Sequence, residues 1–178
     1  MAATMQIVVS IIIGILSSLT ASFVFLFCIS RLRPKIIISG HIAKGRDLHG
    51  ETVYRVKIIN KSKRTIINVK ANLHLMTPKI VPGGLIVNAK MIQLKRDDPM
   101  QIAGFDQKDK EASYAFRFQT YEDIDKLWDN DATSYLRFRI FAMDSLSGLG
   151  KVFRQDYHTK RNSIVDGEFE FGNSVQVK

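Results

Sequence analysis

From Ile7 to Ile29 the sequence carries no charged side chain, and Arg31, Leu32, Arg33, Pro34 and Lys35 follow at once. At 1.5 Å per residue a helix over this run is about 34 Å long, enough to cross a hydrocarbon core of about 30 Å with some tilt. A cleaved signal peptide would need a basic start, a shorter apolar stretch and a small-x-small cleavage site. The segment before the run, Met1 to Gln6, has no Lys or Arg, and the run ends in Phe25, Leu26, Phe27, Cys28 and Ile29. The pattern predicts a retained transmembrane helix over 7–30.

Charge at its two ends predicts orientation. Lys and Arg collect on the cytoplasmic side of a span. Residues 1–6 have none, while Arg31, Arg33 and Lys35 crowd the other end. The expectation is a short N-terminus outside, a basic juxtamembrane segment over 31–35 and a cytoplasmic domain over 36–178. The compact chain, without eukaryotic targeting features, points to the inner (plasma) membrane of a prokaryote. The single cysteine, Cys28, lies inside the span and leaves no disulfide within the chain.

Inside the span, Ser10, Gly14, Ser18 and Ser22 recur at every fourth position. On a helix they share a narrow face of small side chains, where another helix can approach closely. That face suits homo-oligomerisation or pairing with a partner membrane protein; chance recurrence of common small residues explains it equally well.

The rest of the chain reads as one β domain. Thr65–Leu75 puts Ile67, Val69, Ala71, Leu73 and Leu75 on one face and Asn68, Lys70, Asn72 and His74 on the other, the clearest period of two. Thr52–Ile59 alternates too, with the polar turn Asn60–Arg64 between them. Lys35–Ser39, Leu85–Leu94, Ala112–Phe118, Ser134–Met143, Lys151–Tyr157 and Glu168–Phe171 are further strand candidates. Thr120–Trp128 breaks the pattern: a capping Thr, early acids, then Ile124, Leu127 and Trp128 at helical spacing. Seven or eight short strands with one short helix predict an immunoglobulin-like β-sandwich behind a single N-terminal transmembrane helix.

The segments Arg33–Ser39, Tyr54–Asn60, Ile67–Met76, Ile92–Leu94, Leu136–Asp144, Lys151–Tyr157 and Glu168–Phe171 follow in an order that resembles the cytoplasmic domain of inward-rectifier potassium channels. The likeness covers most of residues 33–177 as a pattern of strands and turns. It implies an immunoglobulin-like sandwich directly after a membrane helix, tetrameric assembly, and contact between anionic lipid and the strip Arg31, Arg33 and Lys35. The chain has no pore helix and no Thr-Val-Gly-Tyr-Gly-type filter, so potassium conduction is not implied.

The net charge of +9 is uneven. Residues 31–96 hold 15 Lys/Arg against 2 Asp/Glu, a balance of +13, and residues 97–178 hold 11 against 15, a balance of −4. Anionic lipid attracts such cations near a membrane. A solvated surface is the plain alternative. Nucleic acid would call for exposed aromatics among the basic residues or a recognition helix, and neither is visible. The Lys61, Lys63 and Arg64 cluster sits in a turn of open orientation.

No catalytic pattern stands out. Glu122, Asp123, Asp125, Asp129 and Asp131 lack the central Gly and terminal Glu of a calcium loop and read as a solvated helix face and cap. His41, His49, His74 and His158 are too scattered for a zinc pair. Asp156 and His158 lie two apart on one strand, where proximity is cheap. Asp144–Gly150 lacks the Gly-Lys-Ser/Thr end of a phosphate loop and reads as a hairpin connection. The expectation is a membrane-anchored, non-enzymatic interaction or sensory module with no cofactor. The alternatives are a regulatory subunit sensing a cytoplasmic ligand or anionic lipid, and a hydrolase with an unrecognised site. An exposed apolar edge strand would favour the first; a deep polar pocket with convergent acids and His158 would favour the last.

Overall fold

The computed structural model describes residues 2–128 and 133–178. Helix α1, Ala2–Ser30, is exposed on every side and is long and apolar enough to cross a membrane. A signal sequence would share those two properties.

Among the described residues, the remainder is two five-stranded sheets and two short helices. In the first sheet, β3 (Thr52–Asn60) is central. One side pairs with β7 (Ala115–Thr120); the other pairs with β1 (Ile36–Ile38) near Asn60 and with β2 (Ile42–Arg46) near Thr52. Strand β10 (Ile164–Asp166) adds to β2 in parallel. In the second sheet, β4 (Ile66–Val81) pairs with β8 (Tyr135–Asp144) on one side and with β5 (Gly84–Ile92) and β6 (Gln101–Ile102) on the other. Strand β9 (Gly150–Tyr157) completes it against β8.

The inner faces meet in one core. Val56, Ile58 and Phe118 come from the first sheet and Leu73, Phe138 and Ile140 from the second. Phe118 and Phe138 touch across the gap, with ring centroids 5.4 Å apart. A fully buried side chain of this size contributes about 1.5–3 kcal/mol. Two polar tips inside are satisfied: Trp128 Nε1 donates to the Ser134 carbonyl at 3.1 Å, and the Tyr157 hydroxyl donates to the Ser39 carbonyl at 2.9 Å.

Several expected boundaries move, each for a local reason. Asn68 takes φ +50 in a bulge between Ile67 and Lys70, so Ile66 rather than Ile67 is the buried residue at the start of β4. Ala112, expected at the start of a strand, takes φ +53 and precedes β7. The expected helix over 120–128 is a single turn, α2 (Ile124–Leu127), capped by Asp123 rather than Thr120. A second short helix, α3 (Lys160–Ser163), was not expected, nor were β2, β6 and β10. Residues 168–171 form no regular strand; Phe169 makes an isolated bridge to Val177.

The segment 168–178 explains why β3 is buried on both faces. It lies over the outer side of the first sheet, where three cations hold it. Arg55 donates to Glu168 at 2.9 Å, Lys57 Nζ to the Glu170 and Gly172 carbonyls at 2.7 and 2.8 Å, and Arg117 to the Phe169 carbonyl at 3.1 Å.

Candidate functional site

Three features qualify: the end of the domain next to α1, a charged cluster around Asp125, and an arm formed by β4 and β5.

Of the strip expected to touch lipid, Arg31, Arg33 and Lys35 are all exposed, while Pro34 between them is buried. The structure settles which way the second basic turn faces. Lys35 donates its N–H to Ser62 Oγ at 2.9 Å, and Lys61 donates its N–H to the Lys35 carbonyl at 2.7 Å. The turn 61–64 therefore adjoins the exit of α1. Ser147 Oγ donates to the Leu32 carbonyl at 3.2 Å, which brings the β8–β9 connection, with exposed Leu146, to the same place. That connection is a hairpin loop as expected. Asp144, fully buried, closes it by accepting from the Leu146 and Ser147 N–H groups and from Arg64 Nε at 2.8 Å.

Ser10, Gly14, Ser18 and Ser22 are exposed along α1. The Ser10 and Ser22 hydroxyls donate to the carbonyls four residues back, Gln6 and Ser18. Turned onto their own helix, these hydroxyls leave close packing as what this face offers a neighbour.

At the far end of the sandwich Asp125 is not a solvated acid. Its carboxylate takes Lys44 Nζ at 2.6 Å, the Tyr54 hydroxyl at 2.8 Å and Lys160 Nζ at 3.3 Å, from three separate elements. Burial works against its charge, but the hydrogen bonds from Lys44, Tyr54 and Lys160 outweigh that and hold its pKa at about 2. Lys44 is raised chiefly by its hydrogen bond to Asp125. Tyr54 is raised by burial and by the same carboxylate. An open cleft of about 660 Å³ lies beside the cluster, lined by Lys44, Tyr54, Tyr121, Asp123 and Lys126 among others. His158 is not in it; its ring lies 5.6 Å from that of Tyr135. Asp156 gives both oxygens to Arg137, at 2.8 and 3.0 Å, rather than orienting His158. Among the described residues no group of three or more His, Cys, Asp or Glu converges on a point where a metal could sit. Asp129 and Asp131 lie outside the described residues.

The sequence marked one strand of the arm, Leu85–Leu94, but not the extension of β4 that pairs with it. Strand β4 continues past its last partner on β8, Met76, through Pro78 to Val81, turns at Pro82–Gly83 and returns as β5. Gly83 takes φ +107, which an L side chain resists. Every β5 residue except Ile92 is exposed. In the observed register Pro78 faces Val87, and Ile80 faces Leu85. With Ala89, Met91 and the buried Met76 they form an apolar face, which His74 joins opposite Met91. Ile80 is 91% exposed and Leu85 64%. Lys79 and Lys90 share the opposite face.

No protein-family model matches the chain, and no curated protein matches it either.

Proposed function

We propose that the chain is a single-pass membrane protein whose cytoplasmic, immunoglobulin-like sandwich serves as a non-enzymatic interaction module within a membrane assembly. The carrying observation is the β4–β5 arm. Isolated exposed apolar residues are ordinary, but a continuous apolar face on a projecting hairpin marks a contact site. The basic exit of α1 supports a cytoplasmic domain. The small-residue face of α1 supports homo-oligomers or a partner helix in the same assembly.

Placing a photo-crosslinking residue at Leu85 of the full chain in native membranes tests this reading. A discrete product containing a second polypeptide is expected, with none from the same probe at Leu48, which is fully exposed but stands alone. No product at Leu85 would refute it. Orientation is tested separately by a C-terminal tag, which protease should remove in inverted vesicles.

A second reading, sensing of anionic lipid, is favoured by one observation. Lys61 and Lys63 join Arg31, Arg33 and Lys35 at the exit of α1, beside exposed Leu146. Each cation near an anionic surface is worth about 1 kcal/mol. Neutralising Lys61 and Lys63 should weaken binding of the detergent-purified chain to phosphatidylserine vesicles; unchanged binding would remove this reading.

A further inference from the structure

Strand β5 has a free edge. It spans Gly84–Ile92 and, among the described residues, pairs with β4 alone. Natural edge strands are guarded by charges, proline, bulges or short length, because free N–H and C=O groups recruit other strands. β5 is nine residues long, with one charge, Lys90, and no proline. The opposite edge of the arm is guarded: beyond Met76, β4 has no β8 beside it, and there Pro78 interrupts the row of donors.

Pro78 also fixes the phase of the ladder. Opposed residues in antiparallel strands alternate between pairs that exchange hydrogen bonds and pairs that do not. Pro78 has no N–H to give, so its pair with Val87 is of the second kind. Leu85, Val87, Ala89 and Met91 then turn their N–H and C=O groups away from β4. The same four residues carry the apolar face. One added strand would satisfy the edge and place every second side chain on that face.

A second copy is a poor fit. Antiparallel self-pairing centred on Asn88 would oppose Leu85 with Met91 and Val87 with Ala89. The two-fold axis of such a pair is perpendicular to the sheet, so it reverses the strands. The contacts of Lys35 with Ser62 and of Ser147 with Leu32 put the start of β4 at the exit of α1. The turn of the arm lies about 50 Å along a 16-residue strand from that end. Self-pairing would send the two anchors to opposite ends of the pair and gather Lys79 and Lys90 of both chains on one face, with no acid in β5 to offset them. Lys79 and Lys90 make no ion pair among the described residues and share the other face of the arm.

We propose that β5 receives, by strand addition, an extended segment of a partner protein that alternates apolar with polar residues and carries acidic residues facing Lys79 and Lys90. This rests on the reading of the chain as an interaction module.

The test uses the full chain in detergent and a labelled, end-blocked peptide, Thr-Val-Glu-Val-Thr-Val-Glu-Val-Thr. Its comparison is the same peptide N-methylated at alternate amides, in both phases. Anisotropy should show the methylated forms binding at least tenfold more weakly in one phase. Bound peptide should slow amide exchange at Leu85, Val87, Ala89 and Met91 at least tenfold. Ala89→Pro, which removes an outward donor and no bond to β4, should weaken binding tenfold with an unchanged melting temperature. Equal binding of all peptides, or no slowing at those amides, overturns the proposal. Self-association of the peptide-free chain that Ala89→Pro abolishes would assign the edge to a second copy and overturn it too. Crosslinking at Leu85 that survives Ala89→Pro would leave the interaction module standing and remove strand addition alone.

Discussion

The Lys57 ammonium nitrogen lies 2.7 Å from the carbonyl oxygen of Glu170, inside the protein rather than on its surface. Only 1% of Lys57 is exposed. Burial, and secondarily the nearby Arg117 charge, lower its pKa from 10.5 to about 8. The unfolded chain therefore holds a proton between pH 8 and 10.5 that the folded chain has released. Stability from this group rises with pH across that window, and its full cost is present below pH 8. The shift corresponds to a rise on the order of 3 kcal/mol. Urea unfolding of the full chain in detergent at pH 7.5 and 10 should show it, and Lys57→Met should remove that pH-dependent part. The variant should also speed amide exchange within 168–172, whose carbonyls lose their donor.

Asp125 has the opposite dependence. Its folded pKa of about 2 lies below the ordinary 3.8, so its contribution is complete above about pH 4 and fades as pH falls towards 2. The carboxylate is about a third exposed, and solvent screening reduces its worth. Asp125→Asn should destabilise by about 1–2 kcal/mol at pH 7, with the difference from wild type shrinking below pH 4. A constant difference down to pH 2 in thermal unfolding would assign the loss to shape rather than charge.

Where periodicity was local, the fold was legible. The alternation over Thr65–Leu75 marked the first part of β4, and that over 134–143 marked β8. What the sequence hid depends on distant partners. The alternation over Thr52–Ile59 puts Arg55 and Lys57 on one face of β3, but no local signal says that residues 168–172 cover it. β2 looks weak because Gly45 interrupts it; the glycine is needed there, since a Cβ would lie 2.8 Å from the Arg55 guanidinium and 3.2 Å from the Gly167 carbonyl. Asp125 gathers Lys44, Tyr54 and Lys160 from positions far apart in sequence, so its acid cluster looked like a solvated helix face. Pro78 is a plausible strand terminator, yet it stands where β4 has lost a neighbour and needs no donor on that side.

Arg64 and Asp144 give a prediction about the end of the domain next to α1. The Asp144 carboxylate is fully buried, and although burial raises its pKa, the Ser147 N–H and Arg64 more than compensate and hold it low. Removing the cation leaves a buried charge with two backbone donors but no counterion. Arg64→Met should cost about 2–3 kcal/mol, less than the roughly 3–5 kcal/mol of a fully buried pair because Arg64 is a third exposed. The double change Arg64→Met with Asp144→Asn should recover part of that loss. Chemical denaturation of the four proteins gives the coupling directly; additive effects would mean that the pair does not interact.

The arm should be separable from the stability of the sandwich. Ile80 and Leu85 face each other on exposed backbone, whereas Leu73, on the same β4 strand, is sealed in the core. Leu73→Ala should cost about 2–5 kcal/mol through lost burial and a residual cavity. Ile80→Thr with Leu85→Thr removes no core contact, and Thr suits a strand, so the change should stay within about 0.5 kcal/mol. The same double change should abolish crosslinking from a probe at Val87 and lower light scattering of the concentrated protein, because it breaks the apolar face. A large fall in melting temperature for the Thr double variant would mean that these side chains pack within the chain, and the arm would then be structural rather than a surface for another protein.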